Sequence, residues 1–179
     1  MALLLGYDVG SSSIKATLME ADTGKVLTSA TSPEKELEII AKQLGWAEQQ
    51  PAIWWEHVKK VTWQIVSKIK NLEDLEAIGI SYQMHGLVVV NKNKEVLRPS
   101  IIWCDSRAVQ IGEQAATDIG EQKRLSRLFN LPGNFTASKL KWVMENEPDI
   151  YSNIHKAMLP GDYIAMKMTD QIKTTPSGL

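Results

Sequence analysis

Leu3-Leu4-Leu5-Gly6-Tyr7-Asp8-Val9-Gly10-Ser11-Ser12-Ser13-Ile14-Lys15 begins as a short apolar run that ends in glycine and serine. Such a run, bounded by turn residues, predicts a buried strand. Past the small-residue turn, Ile14-Lys15-Ala16-Thr17-Leu18-Met19 alternates as a second strand. Asp22-Thr23-Gly24-Lys25 is a turn signal, and Val26 to Thr31 returns as a third strand. The three together predict an antiparallel meander.

The turn between the first two strands carries chemistry. A carboxylate at the end of a buried strand, here Asp8, is costly unless it is paired, solvated or coordinating something. Gly10, Ser11, Ser12 and Ser13 let backbone amides approach an anion closely. A turn of this kind can hold phosphate oxygens while Asp8 holds Mg²⁺ through water. The same residues also suit a plain hairpin turn, since Gly-Ser turns are common. The Gly-Lys-Ser/Thr spacing of a Walker loop is missing, and no helix follows, which excludes both that loop and the dinucleotide loop. Among phosphate-binding loops, the one that runs between two antiparallel strands is that of the actin-like ATPase fold.

Composition sets the outer bounds. The 179 residues amount to about one domain. Folding at that length buries roughly 70% of the extended-chain surface. A net charge of -1 gives no support for a polyanion-binding surface, so nucleic acid is not an expected partner. The single cysteine, Cys104, rules out an internal disulfide framework and points to a reducing compartment. No run of 18 apolar residues exists, and the start lacks the basic flank of a signal peptide. The expectation is a soluble cytoplasmic protein with no membrane partner.

Further along, Pro51 is placed to open a helix in which Trp54, Val58, Val61, Ile65 and Ile69 recur at helical spacing. Lys59, Lys60, Lys68 and Lys70 fall between them as a solvated face. Ala77-Ile78-Gly79-Ile80-Ser81 reads as a buried strand. Gly86 to Val90 and Val96 to Trp103 read as two more, joined by Asn91-Lys92-Asn93-Lys94. From Ala108 the pattern turns helical, with a break at Leu131-Pro132-Gly133-Asn134 and a further helix over Ser138 to Glu147. Met158-Leu159 is a short strand, and Thr174 to Leu179 reads as a loop or hairpin cut in mid-course.

Two other segments are candidate sites. In Ser81-Tyr82-Gln83-Met84-His85-Gly86, between two strands, Gln83 and His85 can both donate to and accept from hydroxyls. In Trp103-Cys104-Asp105-Ser106-Arg107, the indole offers a flat face to the C–H side of a sugar, and Asp105 and Arg107 can bond its hydroxyls. The competing reading makes Trp103 a core residue and Asp105 a cap on the next helix. Cys104 has no neighbour at metal-ligand spacing. His57 and His155 read as surface or helix-face residues, and Trp46, Trp54, Trp55, Trp63 and Trp142 as packing.

Taken in order, these motifs carry a resemblance. Gly6-x-Asp8-x-Gly10-Ser11-Ser12-Ser13-x-Lys15, Gly45-Trp46-Ala47-Glu48-Gln49, Gln83-Met84-His85-Gly86, Arg98-Pro99 and Trp103-x-Asp105-x-Arg107 resemble the FGGY carbohydrate kinases, and within them most the xylulokinases. Phe135 to Val143 is similar to the first family signature, and Leu159-Pro160-Gly161-Asp162-Tyr163 follows at the expected place. Asn134 departs from the glycine, serine or aromatic usual there.

The resemblance implies an α/β, actin-like (ribonuclease H-like) domain, a mixed sheet flanked by helices, with ATP and sugar held in a cleft against a second domain. Residues 1–179 would be the amino-terminal domain, incomplete at its end, with the second domain absent. Asp8 would arrange Mg²⁺ and the transferred phosphate, with Gly10, Ser11, Ser12, Ser13 and Lys15 facing the nucleotide. Gln83, Met84 and His85 would contact a ketose, with Trp103, Asp105 and Arg107 near the same pocket. The catalytic base, an aspartate in this family, would lie beyond Leu179, so the chain alone is expected to be inactive. An unfilled domain interface would leave an apolar patch through which two copies could form a homodimer. The expected reaction is ATP-dependent phosphorylation of D-xylulose. The alternatives are a kinase for ribulose, gluconate or glycerol, or a non-catalytic sugar-binding module.

Overall fold

The computed structural model describes residues 2–69, 73–128 and 130–174. The meander is present as β1 (Leu3–Val9), β2 (Ile14–Glu20) and β3 (Val26–Ser32). β1 pairs antiparallel with β2 from Leu3↔Glu20 to Val9↔Ile14, and β2 pairs with β3. After a two-residue strand β4 (Glu48–Gln49) comes helix α1 (Pro51–Val66), with Pro51 in its first turn, where a missing N–H breaks no helical bond. β5 (Leu75–Tyr82) then pairs parallel with β1, which gives a mixed sheet of order β3-β2-β1-β5.

Period-2 alternation along β1 sends Leu3, Leu5, Tyr7 and Val9 to one face. There they meet Trp54, Val58, Val61 and Ile65, the buried stripe of α1. Gly6 and Asp8 point to the opposite, exposed face. Lys59, Lys60 and Lys68 lie in solvent as expected, while Lys70 falls outside the described residues. His57, half-buried on α1, bonds Ser32 Oγ through Nδ1 at 2.8 Å.

The 77–81 segment is a strand but not a buried one. Glu76 to Gly79 and Ser81 are exposed, because β5 is hydrogen-bonded to β1 along one side and forms an edge of the sheet. Trp63 is likewise 72% exposed rather than packed, since it lies on the side of α1 that reaches past this edge, beside Ile78. The two strands expected over residues 86–90 and 96–103 form as shorter pieces that still meet antiparallel at the Leu87↔Ile101 and Val90↔Val96 bridges. β6 (Val88–Val90) pairs with β8 (Lys156–Met158), and the remnant β7 (Ser100–Ile101) pairs with β4. All of β6 is buried because its two faces serve different clusters. Val88 and Val90 join the main core, while Leu87 and Val89 join Ile101 and Val143.

The helical half comprises α2 (Val109–Ile119), α3 (Glu121–Arg127), α4 (Thr136–Asn146), α5 (Pro148–Ser152) and α6 (Pro160–Thr169). The break at Pro132–Asn134 is a 3-10 turn whose backbone lies against α2. A Cβ on Gly112 would stand 2.3 Å from Gly133 Cα. Gly112→Ala is therefore expected to cost about 2 kcal/mol or more, read as a lower urea midpoint for this domain. α6 starts where Asp162 accepts from the Leu159 amide at 3.0 Å. Its first turn packs so closely on the 82–86 segment that Cβ atoms on Gly161 and Gly86 would strike Tyr82 and Pro160. Among the described residues no helix is long and apolar enough to cross a membrane. The closing residues 175–179 lie outside the described part.

Candidate active site

β1 and β5 run parallel and end side by side at Val9↔Tyr82, so the segments that leave them emerge together. The Gly10–Ser13 turn leaves β1, and Gln83–Gly86 leaves β5, tied back by Gln83 N–H to Val9 O at 3.0 Å. Ligands in open α/β sheets gather at such strand ends, where backbone groups run out of ladder partners.

In the turn, the Gly10 amide donates to Ser13 O at 3.1 Å, and a Cβ on Gly10 would lie 3.0 Å from that oxygen. A larger residue here would push the Ser13 carbonyl back by a few tenths of an ångström. Gln49 Nε2 holds Ser11 O at 2.7 Å, and the Leu37 amide holds Ser12 O at 2.8 Å. With the carbonyls thus engaged, no backbone acceptor takes the amides of Ser11 or Ser12 among the described residues. Asp8 sits on the exposed sheet face opposite Lys15 in the register. Its Oδ2 is 4.0 Å from Lys15 Nζ, both side chains being more than half exposed. No group of three acidic, histidine or cysteine residues is placed to cage a metal among the described residues. One solvated carboxylate fits a Mg²⁺ that keeps its waters, not a dehydrated all-protein site.

The second cluster borders a cavity of about 340 Å³ lined by Met84, His85, Trp103, Glu113, Asn134 and Phe135, among others. Met84 is exposed, and Trp103 spans the two clusters, its Nε1 donating to Ser11 Oγ at 3.2 Å. The Gly10–Ser13 turn and the cavity are thus neighbours, joined through Trp103. His85 stands in the left-handed region at φ 57°, a conformation that costs a non-glycine residue about 1–2 kcal/mol. Its ring stacks on Phe135 with centroids 4.9 Å apart. Burial first, and the nearby Lys139 ammonium second, push its pKa below the ordinary value of 6.5. The ring is therefore neutral at pH 7 and offers one donor and one acceptor. Both amide atoms of Gln83 are buried and have no hydrogen-bond partner among the described residues.

Asp105 and Arg107 are placed differently from the other candidates: both side chains are buried and neither lines the cavity. Asp105 accepts from the Ala47 amide, from the Arg107 amide at 2.9 Å, and from the Arg107 guanidinium at 2.9 and 2.7 Å. It does not cap α2, which starts at Val109 without a side-chain cap. Arg107 also reaches Glu48 at 2.8 Å, and its guanidinium lies 3.8 Å from the Trp46 ring centroid and 4.9 Å from that of Trp142. Arg98 bridges Glu48 and Glu147 at 2.5 and 2.7 Å. Lys139, fully buried on α4, lies near Asp105 but makes no ion pair among the described residues, its Nζ donating to the His85 carbonyl instead. Pairing of the two arginines with three carboxylates is what makes those buried charges tolerable.

Sequence reasoning passed over Glu48, Lys139, Glu113 and Phe135. The first two lay inside motifs that were recognised, but a lone glutamate or lysine carries no local sign that it is buried.

A family model described as the FGGY family of carbohydrate kinases, N-terminal domain, matches residues 3–178. The chain belongs to this FGGY family. It is 31% identical over 175 residues to a xylulose kinase of Escherichia coli (strain K12), a match that takes in 98% of the chain and 35% of that relative. A crystal structure from Brucella ovis, titled a xyloylose kinase, superposes with a TM-score of 0.82 at 32% identity, covering 92% of this chain and 34% of the other. A gluconate kinase structure from Lactobacillus acidophilus superposes with a TM-score of 0.83 at 25% identity, over 96% and 34% of the two chains. The FGGY chain therefore spans about a third of the length of these relatives. Its mixed sheet with flanking helices is the actin-like ATPase fold that the β1–β2 turn had suggested.

Proposed function

We propose that this FGGY chain is the amino-terminal domain of an ATP-dependent kinase that phosphorylates D-xylulose to D-xylulose 5-phosphate. One observation carries the reading. The Trp103 indole bonds Ser11 at the anion-facing turn while lining the Met84–His85 cavity, which sets a phosphate site and a polyol site side by side. The free amides of Ser11 and Ser12, with Ser13 and Lys15 flanking them, face the phosphates of ATP, and Asp8 holds Mg²⁺ through water, which neutralises charge on the transferring group. Neutral His85 and the unpaired amide of Gln83 supply donors and acceptors for hydroxyls, and Met84 and Trp103 supply apolar surface. Asp105 and Arg107 brace, from the interior, the segment that carries Trp103.

The catalytic base and the adenine pocket come from polypeptide that corresponds to the remaining two thirds of the relatives, so this chain alone transfers no phosphate. ATP as donor places the enzyme in the cytoplasm. The gluconate kinase likeness favours a second reading, a kinase for a related polyol, on the same two half-sites.

The test is a panel of ketoses, gluconate and polyols presented to the full-length protein, with phosphoryl transfer from ATP as the readout. Highest kcat/KM on D-xylulose supports the proposal, and transfer to gluconate or glycerol alone overturns the substrate. His85→Ala is expected to raise the ketose KM about tenfold with kcat little changed, the pattern of lost uniform binding. An unchanged KM would remove His85 from the sugar site.

A further inference from the structure

Lys139 is a buried lysine on α4 whose Nζ donates to the His85 carbonyl oxygen at 2.7 Å, with 0% of the residue exposed. A helix-packing position of this kind is ordinarily served by leucine or methionine, since a buried ammonium must be solvated by protein groups alone. The groups around it are Asp105, whose carboxylate favours the charge, the Cys104 thiol, and the Arg107 guanidinium, which opposes it. Burial still pushes its pKa down to about 8. The lysine is therefore held at some disadvantage, and among the described residues its ammonium bonds the backbone of the strained residue that borders the cavity. His85 needs such a tether. Its φ of 57° is a conformation that histidine leaves readily for the extended or helical regions, and leaving would carry the ring off Phe135.

We propose that Lys139 is a positioning residue for the sugar: its ammonium pins the His85 carbonyl, and so keeps the imidazole stacked on Phe135 and turned to the cavity. The proposal rests on the ketose reading of that cavity and adds a group that never touches the sugar. Asp105 joins the two levels of the site, because it balances Lys139 on one side and Arg107 on the other. The buried ion network thereby sets the orientation of the sugar-facing loop.

The decisive experiment is a double-mutant cycle on ketose KM and kcat in the full-length protein. Lys139→Met is expected to raise KM about tenfold while kcat stays within about threefold. His85→Gly removes both the ring and the backbone reluctance, so in that background Lys139→Met is expected to add less than about twofold to KM. Multiplying effects would show that Lys139 acts through the fold at large, and would overturn the proposal. Lys139→Gln, which keeps an N–H donor, takes the place of Met should Met unfold the domain, and is expected to fall between Met and wild type. A second readout does not depend on turnover. In NMR spectra the ring-to-ring NOE between His85 and Phe135 should weaken in the Lys139→Met variant, because the backbone is free to leave its φ of 57°. If the wild type phosphorylates no ketose, the ketose reading fails, yet loss of that NOE still upholds the tether and its persistence refutes it.

Discussion

Asp8→Asn in the full-length protein is expected to lower turnover by about a thousandfold while the ketose KM stays within about twofold. The substitution keeps the size and most of the hydrogen-bonding shape of the side chain and removes its charge. Asp8 stands on the exposed sheet face, and its nearest cation, Lys15, is 4.0 Å away and solvated. A pair that exposed contributes little to stability, so the melting temperature should move by no more than about 2 °C. The loss therefore falls on chemistry. In the proposed reading, the hydrated Mg²⁺ would lose its anchor beside the Gly10–Ser13 turn, and the charge on the transferred group would no longer be met. The proposed sugar cavity lies on the far side of Trp103 and is lined by residues other than Asp8. Near-normal turnover in a coupled kinase assay would remove Asp8 from the metal site and leave the turn as a plain hairpin.

Arg107→Leu is expected to destabilise the domain by about 3–5 kcal/mol, which lowers its melting temperature by roughly 10 °C. The guanidinium is 1% exposed, bonds both oxygens of Asp105, reaches Glu48, and lies between the rings of Trp46 and Trp142. Leucine fills part of that volume, strips Asp105 of its two guanidinium bonds and leaves Glu48 to Arg98 alone. Arg107→Lys should recover only a minor part of the loss, because an ammonium can neither fork across Asp105 nor stack flat on an indole. Differential scanning calorimetry of the three proteins decides the matter. A shift below about 2 °C for Leu would mean that the network is solvated and that Arg107 is free to meet the sugar.

Much of this fold is legible in a single pass along the chain because its signals are local. The alternation in Leu3–Val9 and Ile14–Glu20, the turn residues between them and the Trp54-Val58-Val61-Ile65 spacing each arise within one element, and each element formed as its pattern requires. The errors fell where partners are distant. Ala77–Ser81 has the composition of a buried strand, yet its exposure depends on which strands flank it, and only β1 does. Val96 to Trp103 keeps antiparallel links to residues 87–90, but Pro99 interrupts its ladder. Ser100–Ile101 pairs with Glu48–Gln49, roughly fifty positions away, which leaves two residues of strand.

The site divides along the same line. Residue order alone determined the tight Gly10 turn next to a strand-end carboxylate, the polar Gln83–His85 segment and the family to which they point, because turn chemistry and strand ends are written in neighbouring residues. Only the tertiary structure decided that Trp103 joins the two segments, that the Asp105 and Arg107 side chains are buried, and that Lys139 reaches His85. The last two depend on whether a charged side chain meets partners in the interior or meets water, and that choice is made by residues 54 and 58 positions apart meeting in the fold.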